Sequence, residues 1–310
     1  MAVLRGLPLL ALLLLLVLPA PLGTPAAAVV APVAAPATTG EPAARPGAAR
    51  ERFAVVDHNV QKRWPALRTA LRLARQSNAR AVTLQEVCAW QVARLRRAHP
   101  GWTVAWLPVR RTDGCRAPGA AGGRAATGNV AVWTEAPDGT TTTPVFDDQL
   151  GSTWHQGLAC VTWGDRPFRR VCSTHLLSSS IPRRVRLRAR QAADVHRTAA
   201  PWTRRGDLVV VAGDLNDAPR SRPLGWLYGP STGGRGRFRE VAPGPAGDDT
   251  ECRCAVATRD GGARLDYVFF SDNRARRSAR HGLRVVRTAS DHHALVGWFE
   301  VDLRRGSGRS

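Results

Sequence analysis

The sequence predicts a layered domain of the α/β or α+β class, and two features of the chain support this. Short apolar runs, typical of buried strands, alternate with longer segments in which apolar residues recur at helical spacing. The stretch that holds them runs from about residue 52 to residue 303, long enough for one large domain. We therefore expect one folded domain over 52–303, and no internal repeat is visible in it.

The first half of this domain alternates strands and helices. Strands are predicted over 53–56, 81–84, 102–106 and 129–133, and helices over 64–75 and 87–99. The segment 117–128 consists mostly of Gly, Ala and Arg and is predicted to be a mobile loop.

The second half continues the same alternation. Two strands over 158–163 and 168–174 are predicted to form a hairpin. A helix is predicted to begin after Ser180 as N-cap, with Pro182 in its first turn, and to run to about residue 198. Further strands are predicted over 208–212, 265–270 and 294–301, and a Gly-Arg loop over 229–237.

The first 28 residues have the pattern of an export signal. Arg5 precedes an apolar run over 7–17, and small residues over 26–28 form a cleavage site. The apolar run is short for a membrane span, so a signal peptide over 1–28 is predicted, with a retained anchor as the alternative. We expect a secreted protein with a disordered Ala/Pro-rich linker over 29–51 and a flexible tail over 304–310.

Six cysteines in an exported chain favour disulfides over free thiols or metal. The candidate pairs are Cys88 with Cys115, Cys160 with Cys172, and Cys252 with Cys254. The first would close a loop, and the second flanks a predicted turn symmetrically. The third joins near neighbours, between which a bridge is uncommon. The spacing lacks the paired C-x-x-C of a structural zinc site.

The net charge is +21, from 45 basic and 24 acidic residues, and Lys62 is the only lysine. Such a balance predicts attraction to polyanions, with nucleic acid or another anionic polymer as partner. A biased codon usage would explain the preference for Arg over Lys. It would not explain the shortage of acids, so the polyanion interpretation is preferred.

The strand predicted over 208–212 is followed by Gly213, Asp214, Leu215 and Asn216. On an extended backbone Asp214 and Asn216 would point to the same side, so a carboxylate and an amide would face one spot. Such a pair suits a hard cation or an aligned water. The alternative is an Asx turn, which these residue types favour in any case.

Other predicted strands also begin or end at residues whose side chains could take part in catalysis. Asn59, Glu86 and His175 follow three of them, Asp266 opens a fourth, and Asp291-His292 precedes the last. Each has a structural explanation of its own, such as a helix-start carboxylate or a buried core histidine. Their joint occurrence at so many strand ends favours a catalytic site on loops at a sheet edge.

Taken in order, these motifs resemble the endonuclease/exonuclease/phosphatase superfamily. The matching elements are Asn59, Gln85-Glu86, Thr174-His175, Gly213 to Asn216, Asp266-Tyr267 and Ser290-Asp291-His292. That superfamily includes deoxyribonucleases, abasic-site endonucleases, sphingomyelinases and inositol polyphosphate phosphatases. The resemblance implies a four-layer sandwich in which two packed mixed β-sheets are flanked by helices and the site lies at one edge.

The resemblance also implies hydrolysis of a phosphoester with a divalent metal. Glu86 would be the principal metal ligand, with Asn59 and Asp291 near the same ion. Oxygen ligands select a hard cation, so Mg²⁺ is expected, with Mn²⁺ or Ca²⁺ as substitutes. Asn129, in a Gly-Asn element, would orient His175.

The remaining motif residues would act on water and phosphate. Asp214 would orient or deprotonate the attacking water, and Asn216 would hold that water or the phosphate. Asp266 would fix the tautomer of His292, which would contact the phosphate or act as a base. His175 would be a second phosphate ligand or a general acid.

Two positions depart from the superfamily's patterns. Pancreatic-type nucleases have a basic residue two positions after the glutamate, where this chain has Cys88. Gln61 stands where abasic-site enzymes have an acid, so a repair role is not expected.

The predicted function is therefore that of a secreted Mg²⁺-dependent endonuclease, monomeric and without a stable membrane span. A sphingomyelinase-like phospholipase or a phosphatase on a small substrate is the enzymatic alternative. The former would need an exposed aromatic hairpin, which the sequence does not show. A non-catalytic basic binding module is the third hypothesis, and it leaves the catalytic-type residues unexplained.

Overall fold

Two six-stranded β-sheets pack face to face, and helices cover their outer faces, in the computed structural model of this protein. The structure describes residues 50–241, 253, 256–276 and 278–303. The predicted signal peptide, most of the linker, the tail and Cys252 and Cys254 lie outside these residues. The strands and helices are β1 Glu51–Asn59, α1 Trp64–Ser77, β2 Ala81–Cys88, α2 Ala89–Ala98, β3 Thr103–Thr112, β4 Ala125–Trp133, β5 Thr140–Thr142, β6 Leu158–Trp163, β7 Arg169–His175, α3 Pro182–Arg204, β8 Leu208–Asp214, β9 Phe238–Glu240, β10 Asp266–Ser271, β11 His281–Val286 and β12 Ala294–Val301.

The first sheet has the order β11-β12-β1-β2-β4-β3, and the second has the order β5-β6-β7-β8-β10-β9. Each sheet has one parallel pair, β1 with β2 and β7 with β8, and antiparallel neighbours elsewhere. A helix makes the crossover within each parallel pair, α1 in the first sheet and α3 in the second, as such pairs require.

Three apolar clusters fill the three interfaces between the four layers. The central cluster lies between the sheets and contains, for example, Phe53 of β1 and Phe270 of β10, whose rings meet edge to face. A second cluster joins α1 and α2 to the first sheet, and a third joins α3 to the second sheet. The four-layer sandwich predicted from the sequence is confirmed, with both sheets mixed.

Most predicted elements are present, but several boundaries are wrong. β4 begins at Ala125, inside the segment predicted to be a loop. Ser180 is not the N-cap of α3, because Ile181 holds that position without a side-chain cap, and the helix continues through Pro201 to Arg204. The sequence prediction missed β5, β9 and β11, which are three residues long or irregular in polarity.

Two disulfides bind neighbouring elements. Cys160 and Cys172 are register partners in the β6–β7 hairpin and are joined, and Cys88 at the end of β2 is joined to Cys115. Both pairings match the sequence prediction. Within the described residues, no helix combines the length and the apolar character that crossing a membrane requires.

Candidate active site

The site lies where the inward-facing side chains of both sheets change from apolar to polar. Alternate residues of a strand face the same side. In β8 Ala212 packs in the core between the sheets, and the next residue on that face is Asp214. In β1 Val55 belongs to the same core, and Asn59 lies on the same face at the end of the strand.

The carboxyl ends of both parallel pairs meet at this edge. In the first sheet Asn59 of β1 is the register partner of Gln85 of β2, and in the second His175 of β7 is the partner of Asp214 of β8. The predicted strand ends therefore come together because each sheet contributes one parallel pair.

Glu86 is positioned by a β-bulge. The register between β2 and β4 shifts between Leu84 and Val87, and Glu86 has a left-handed backbone with φ 54°. Bulges of this kind re-aim a side chain next to a site. Opposite the bulge, a Cβ on Gly128 would lie 1.9 Å from the carbonyl oxygen of Leu107, so only glycine permits β3 to approach this closely.

Asp214 is the centre of the polar network. Its Oδ2 atom accepts a hydrogen bond from Nδ2 of Asn59 at 3.0 Å, and lies 3.4 Å from Nε2 of His175 and 3.7 Å from Nε2 of His292. Gly213 precedes it with φ 151°, and a Cβ there would lie 1.9 Å from the carbonyl oxygen of Thr174. The glycine thus lets the two parallel strands bring His175 against Asp214.

His292 is oriented by a buried carboxylate. Its Nδ1 atom lies 2.9 Å from both carboxylate oxygens of Asp266. Thr258 donates its hydroxyl to Oδ2 of Asp266 at 2.7 Å and accepts the backbone N–H of the same residue. This arrangement places the proton of His292 on Nδ1 in the neutral state and directs Nε2 toward Asp214.

Burial and nearby charges shift the pKa values of His292 and Asp214. Burial favours neutral imidazole, but the hydrogen bond and charge of Asp266 outweigh it and raise the pKa of His292 to about 9. Burial is also the largest influence on Asp214 and raises its pKa, an effect that His175 and His292 oppose. At neutral pH His292 is therefore a cation, and Asp214 has an enhanced proton affinity.

Glu86 forms an ion pair with the only lysine of the chain. The Nζ atom of Lys62 lies 2.6 Å from Oε2 of Glu86. Burial disfavours the carboxylate, but His175 and Lys62 outweigh burial and hold the pKa of Glu86 below its ordinary value. Lys62 has φ 62°, and it is held by a bond from its N–H to the carbonyl of Glu86 and by Gln91, which donates to its carbonyl.

Asp291 lies beside His292 but is engaged by an arginine. Both Nε and Nη2 of Arg259 donate to its Oδ2 atom, at 3.2 and 3.0 Å. Its Oδ1 atom is buried and has no hydrogen-bond partner among the described residues. Asp291 therefore keeps one oxygen available for a further ligand.

The side-chain amides of Asn216 and Asn129 each donate to a backbone carbonyl. Asn216 has φ 52°, its N–H donates to Oδ1 of Asp214, and its side-chain amide donates to the carbonyl of Leu176. This is the Asx turn considered as the alternative for the central motif. The amide of Asn129 donates to the carbonyl of Gly157 at 3.5 Å, and its Oδ1 is buried without a partner among the described residues.

A cavity of about 350 Å³ opens at this edge between Glu86 and His175. Asn129, Arg110, Arg184 and Trp154 also line it. Asp214 and His292 are not among its lining residues; Asp214 lies 3.4 Å from His175, and His292 lies 3.7 Å from Asp214. The cavity is thus lined by one carboxylate, one imidazole and two guanidinium groups.

The donor set around the cavity fits a hard divalent cation. Glu86 and Asn129 contribute carboxylate and amide oxygens to the cavity lining. Outside that lining, the unpartnered Oδ1 of Asp291 is a buried acceptor that a cation would satisfy. Asp214, Asp266 and His292 also offer ligand atoms within 4.8 Å of one another. Asp266 is hydrogen-bonded to His292, and Asp214 accepts hydrogen bonds from Asn59 and Asn216. Glu86, Asn59 and Asp291 remain the candidate metal ligands that the family resemblance implies.

The sequence prediction missed three residues of this network. Lys62 was not assigned to the site, and neither was Thr258. Asp57, fully buried, accepts hydrogen bonds from Thr83 and Gln85, and burial raises its pKa well above the usual carboxyl range. The signal for Asp57 was its position two residues before Asn59 on the same strand face, whereas Lys62 and Thr258 stand in loops without a recognisable pattern.

The Gly-Arg loop over 229–237 lies at the opposite end of β10 from Asp266. The carbonyl of Arg237 accepts the N–H of Asp272, which follows β10, and its side chain lies 3.6 Å from the carboxylate of Asp272. Arg235 stacks on Trp226. These contacts hold the loop at that end of the strand.

The fold and the edge site together define the class of α/β-sandwich phosphoesterases. Within that class, the chain belongs to the Endonuclease/Exonuclease/phosphatase family, whose model matches residues 58–292. Members of this family are phosphoester hydrolases, typically dependent on a divalent metal ion. No curated protein sequence is significantly similar to this chain.

Solved structures share the fold at low sequence identity. Truncated TDP2 from Caenorhabditis elegans has a TM-score of 0.55 at 16% identity, covering 80% of this chain and 98% of that one. The human nocturnin catalytic domain with a bound sulfate anion has a TM-score of 0.55 at 17% identity, covering 81% and 97%. SmcL has a TM-score of 0.53 at 18% identity, covering 80% and 99%. Identities this low establish the fold alone.

Proposed function

We propose that this protein is a secreted, metal-dependent phosphoesterase that hydrolyses phosphodiester bonds of nucleic acid. The observation that supports it best is the convergence on one atom: Oδ2 of Asp214 lies within 3.7 Å of Asn59, His175 and His292, contributed by both sheets. A buried carboxylate between two imidazoles suits proton transfer at a phosphate better than a structural role.

The charge states suggest a role for each side chain. Asp214, with its raised pKa, would accept the proton of the attacking water, and Asn59 would orient its carboxylate. His292, protonated at neutral pH through Asp266, would donate from Nε2 to a phosphoryl oxygen and so contribute electrostatic stabilisation rather than act as a base. His175, half-buried at the cavity, would contact the phosphate or protonate the leaving oxygen.

Glu86, Asn59 and Asp291 would hold the divalent ion, with Mg²⁺ expected from the oxygen donors and Mn²⁺ or Ca²⁺ as substitutes. When bound, the ion would supply Lewis-acid polarisation of the phosphoryl oxygen and stabilisation of the leaving group. Asn216 would hold the attacking water or the phosphate with the side-chain N–H that does not bind Leu176, and Asn129 would orient His175 through its unpartnered amide oxygen.

Nucleic acid is favoured as substrate by charge. The chain has a net charge of +21, and Arg110 and Arg184 line the catalytic cavity. ANGEL2, a structure of the same fold at 15% identity and TM-score 0.52, is described as a 2′,3′-cyclic phosphatase, so a small phosphate stays the alternative. Among the described residues the exposed large apolar side chains are Val145 and Ile181, which argues against insertion into lipid.

Export and a monomeric state belong to the same proposal. Two disulfides suit an oxidising compartment, and the leader-like segment over 1–28 would direct the chain there.

The test is cleavage of plasmid DNA and of RNA by the purified protein, with Mg²⁺ and with EDTA. We expect cleavage that EDTA abolishes and that Asp214→Asn reduces by about 10²–10⁴-fold, the usual contribution of a general base. Asp165→Asn, at an exposed turn, is the matched control and should cleave like the wild type. Intact nucleic acid under a range of metals and pH values would refute the proposal.

A further inference from the structure

A second groove, of about 670 Å³, adjoins the catalytic cavity. The two share Arg110 and Trp154, so the groove continues the cavity past these side chains. Its other lining residues include Trp106, Arg111 and Arg124. The roles proposed above for the catalytic residues make no use of this groove.

The groove is built on the exposed edge of the first sheet. β3 is the edge strand, and its register with β4 shifts between Pro108 and Arg110. The carbonyl of Val109, at this bulge, accepts the N–H of His155 at 2.9 Å and so fastens the segment 151–155 against the strand. The guanidinium of Arg110 then lies 4.7 Å from the ring centroid of the half-buried Trp154.

The groove is strongly cationic. Nη2 of Arg111 donates to the carbonyl of Arg124 at 2.6 Å, and Nη2 of Arg124 donates to the carbonyl of Arg111 at 2.7 Å. Both side chains are exposed, and no carboxylate among the described residues pairs with either of them or with Arg110. No acidic residue is among those that line the groove. Two positive side chains are thereby held side by side without neutralisation.

We propose that this groove binds a single-stranded segment of nucleic acid next to the phosphodiester in the catalytic cavity. Bases would stack on the Arg110–Trp154 pair, and Arg111 and Arg124 would contact successive phosphates. The inference rests on the proposed function and adds to it the form of the substrate: a flexible strand that extends beyond one nucleotide.

The chemistry of the groove selects this ligand over other polyanions. An indole and a guanidinium plane offer stacking surfaces to unpaired bases, whereas the bases of a duplex are already stacked on each other. A polyphosphate or an anionic wall polymer would use the arginines but gain nothing from the tryptophan. The contribution of Trp154 therefore distinguishes a nucleic-acid strand from those polymers.

The test measures binding of a labelled single-stranded oligonucleotide of about 12 nucleotides by fluorescence anisotropy. The full chain with Asp214→Asn is used in EDTA, so that cleavage does not interfere. We expect Trp154→Ala to raise the Kd roughly tenfold and Trp154→Phe to restore most of the affinity. Arg111→Gln with Arg124→Gln should raise the Kd and reduce the slope of log K against log salt by about two.

Matched controls come from the cluster on α1 and α2, where Arg94 lies 4.7 Å from the ring centroid of Trp64. Arg68→Gln with Arg94→Gln removes two exposed arginines there and should leave the Kd within about twofold and the salt slope nearly unchanged. A duplex of the same sequence should bind more weakly than the single strand and respond less to Trp154→Ala.

The outcomes separate this inference from the proposed function. If the protein cleaves nucleic acid but Trp154→Ala binds the single strand like the parent, the groove proposal is wrong and the nuclease proposal stands. If the strand binds as expected but no nucleic acid is cleaved, the nuclease proposal fails and the groove stands. If Trp154→Ala lowers the affinity for the single strand, the duplex and a polyphosphate equally, the groove is a nonspecific cationic surface and the inference is wrong.

Discussion

His175 and Asp214 are register partners at the ends of two neighbouring parallel strands, and Nε2 of His175 lies 3.4 Å from Oδ2 of Asp214. The contact depends on backbone geometry as much as on side chains, because Gly213 lets the carbonyl of Thr174 approach where any Cβ would collide. The second sheet thus provides an imidazole–carboxylate pair, to which the first sheet adds the amide of Asn59.

Replacing Gly213 should therefore impair activity through the backbone. In Gly213→Ala the new Cβ would meet the carbonyl of Thr174 and would require a strained φ. We expect a loss of at least about 2 kcal/mol in stability and a shift of His175 away from Asp214. Urea unfolding and turnover of a small phosphodiester check this, with Gly101→Ala, where a Cβ meets open space, as control. Full activity of Gly213→Ala would contradict the argument.

The pair His292–Asp266 should make the metal-free protein sensitive to alkaline pH. The pKa of His292 is raised from its ordinary 6.5 to about 9, so its stabilisation is fully present below about pH 6.5 and is lost as the pH rises through 9. The loss is on the order of 3 kcal/mol. Urea unfolding in EDTA from about pH 6 to pH 10 measures it.

His292→Gln should flatten this pH dependence, because glutamine does not titrate. His155→Gln, at an exposed position, is the control and should keep the wild-type profile. A wild-type profile that is flat between neutral pH and pH 10 would show that Asp266 does not hold the proton on His292.

The sequence was sufficient where a residue's position follows from strand periodicity. Asp214, Asp266 and Asn59 stand on the inward face of strands whose alternate residues form the core, so alternation alone predicts their direction. The ordered motifs then pointed to the family that the comparison confirms.

The sequence was insufficient where the backbone leaves the regular pattern. Glu86 sits in a bulge and Asn216 in a left-handed turn, and no periodicity predicts either geometry. Lys62 reaches Glu86 through a loop with positive φ, and Arg110 meets Trp154 across a long sequence separation. Such contacts depend on tertiary packing, which single-sequence patterns do not contain.

Lys62 should weaken metal binding at Glu86, because its ammonium lies 2.6 Å from the carboxylate that the cation would use. Lys62→Met removes the competing charge while keeping the length of the side chain. We expect the affinity for Mn²⁺ or Mg²⁺, measured by calorimetry, to rise roughly tenfold, and Lys62→Arg to remain near the wild type. A lower affinity in Lys62→Met would instead mean that Lys62 supports the metal site.

The two disulfides should differ in their effects on activity. A closed loop of 27 residues for Cys88–Cys115 and of 12 for Cys160–Cys172 corresponds to about 3–4 and about 3 kcal/mol of stability, respectively. Only the first borders the site, since Cys88 lies two residues after Glu86 and a Cβ on Gly114, beside Cys115, would lie 3.4 Å from the stem of Lys62. Cys88→Ala with Cys115→Ala should lower both Tm and turnover, whereas Cys160→Ala with Cys172→Ala should lower Tm alone. Equal turnover losses would refute the distinction.

Salt should weaken substrate binding in proportion to the phosphates contacted. Each arginine that neutralises a phosphate contributes about one unit to the slope of log K against log salt, because it releases a condensed counterion. Arg184 lines the catalytic cavity, so Arg184→Gln should reduce the slope by about one and raise the KM for an oligonucleotide more than that for a small phosphodiester. Arg94→Gln, in the cluster on α1 and α2, should leave the slope unchanged because no phosphate is expected there. Kd values measured across a salt series give the slope for Arg184→Gln and for Arg94→Gln. Identical slopes in the two variants would mean that the strand binds away from the cavity.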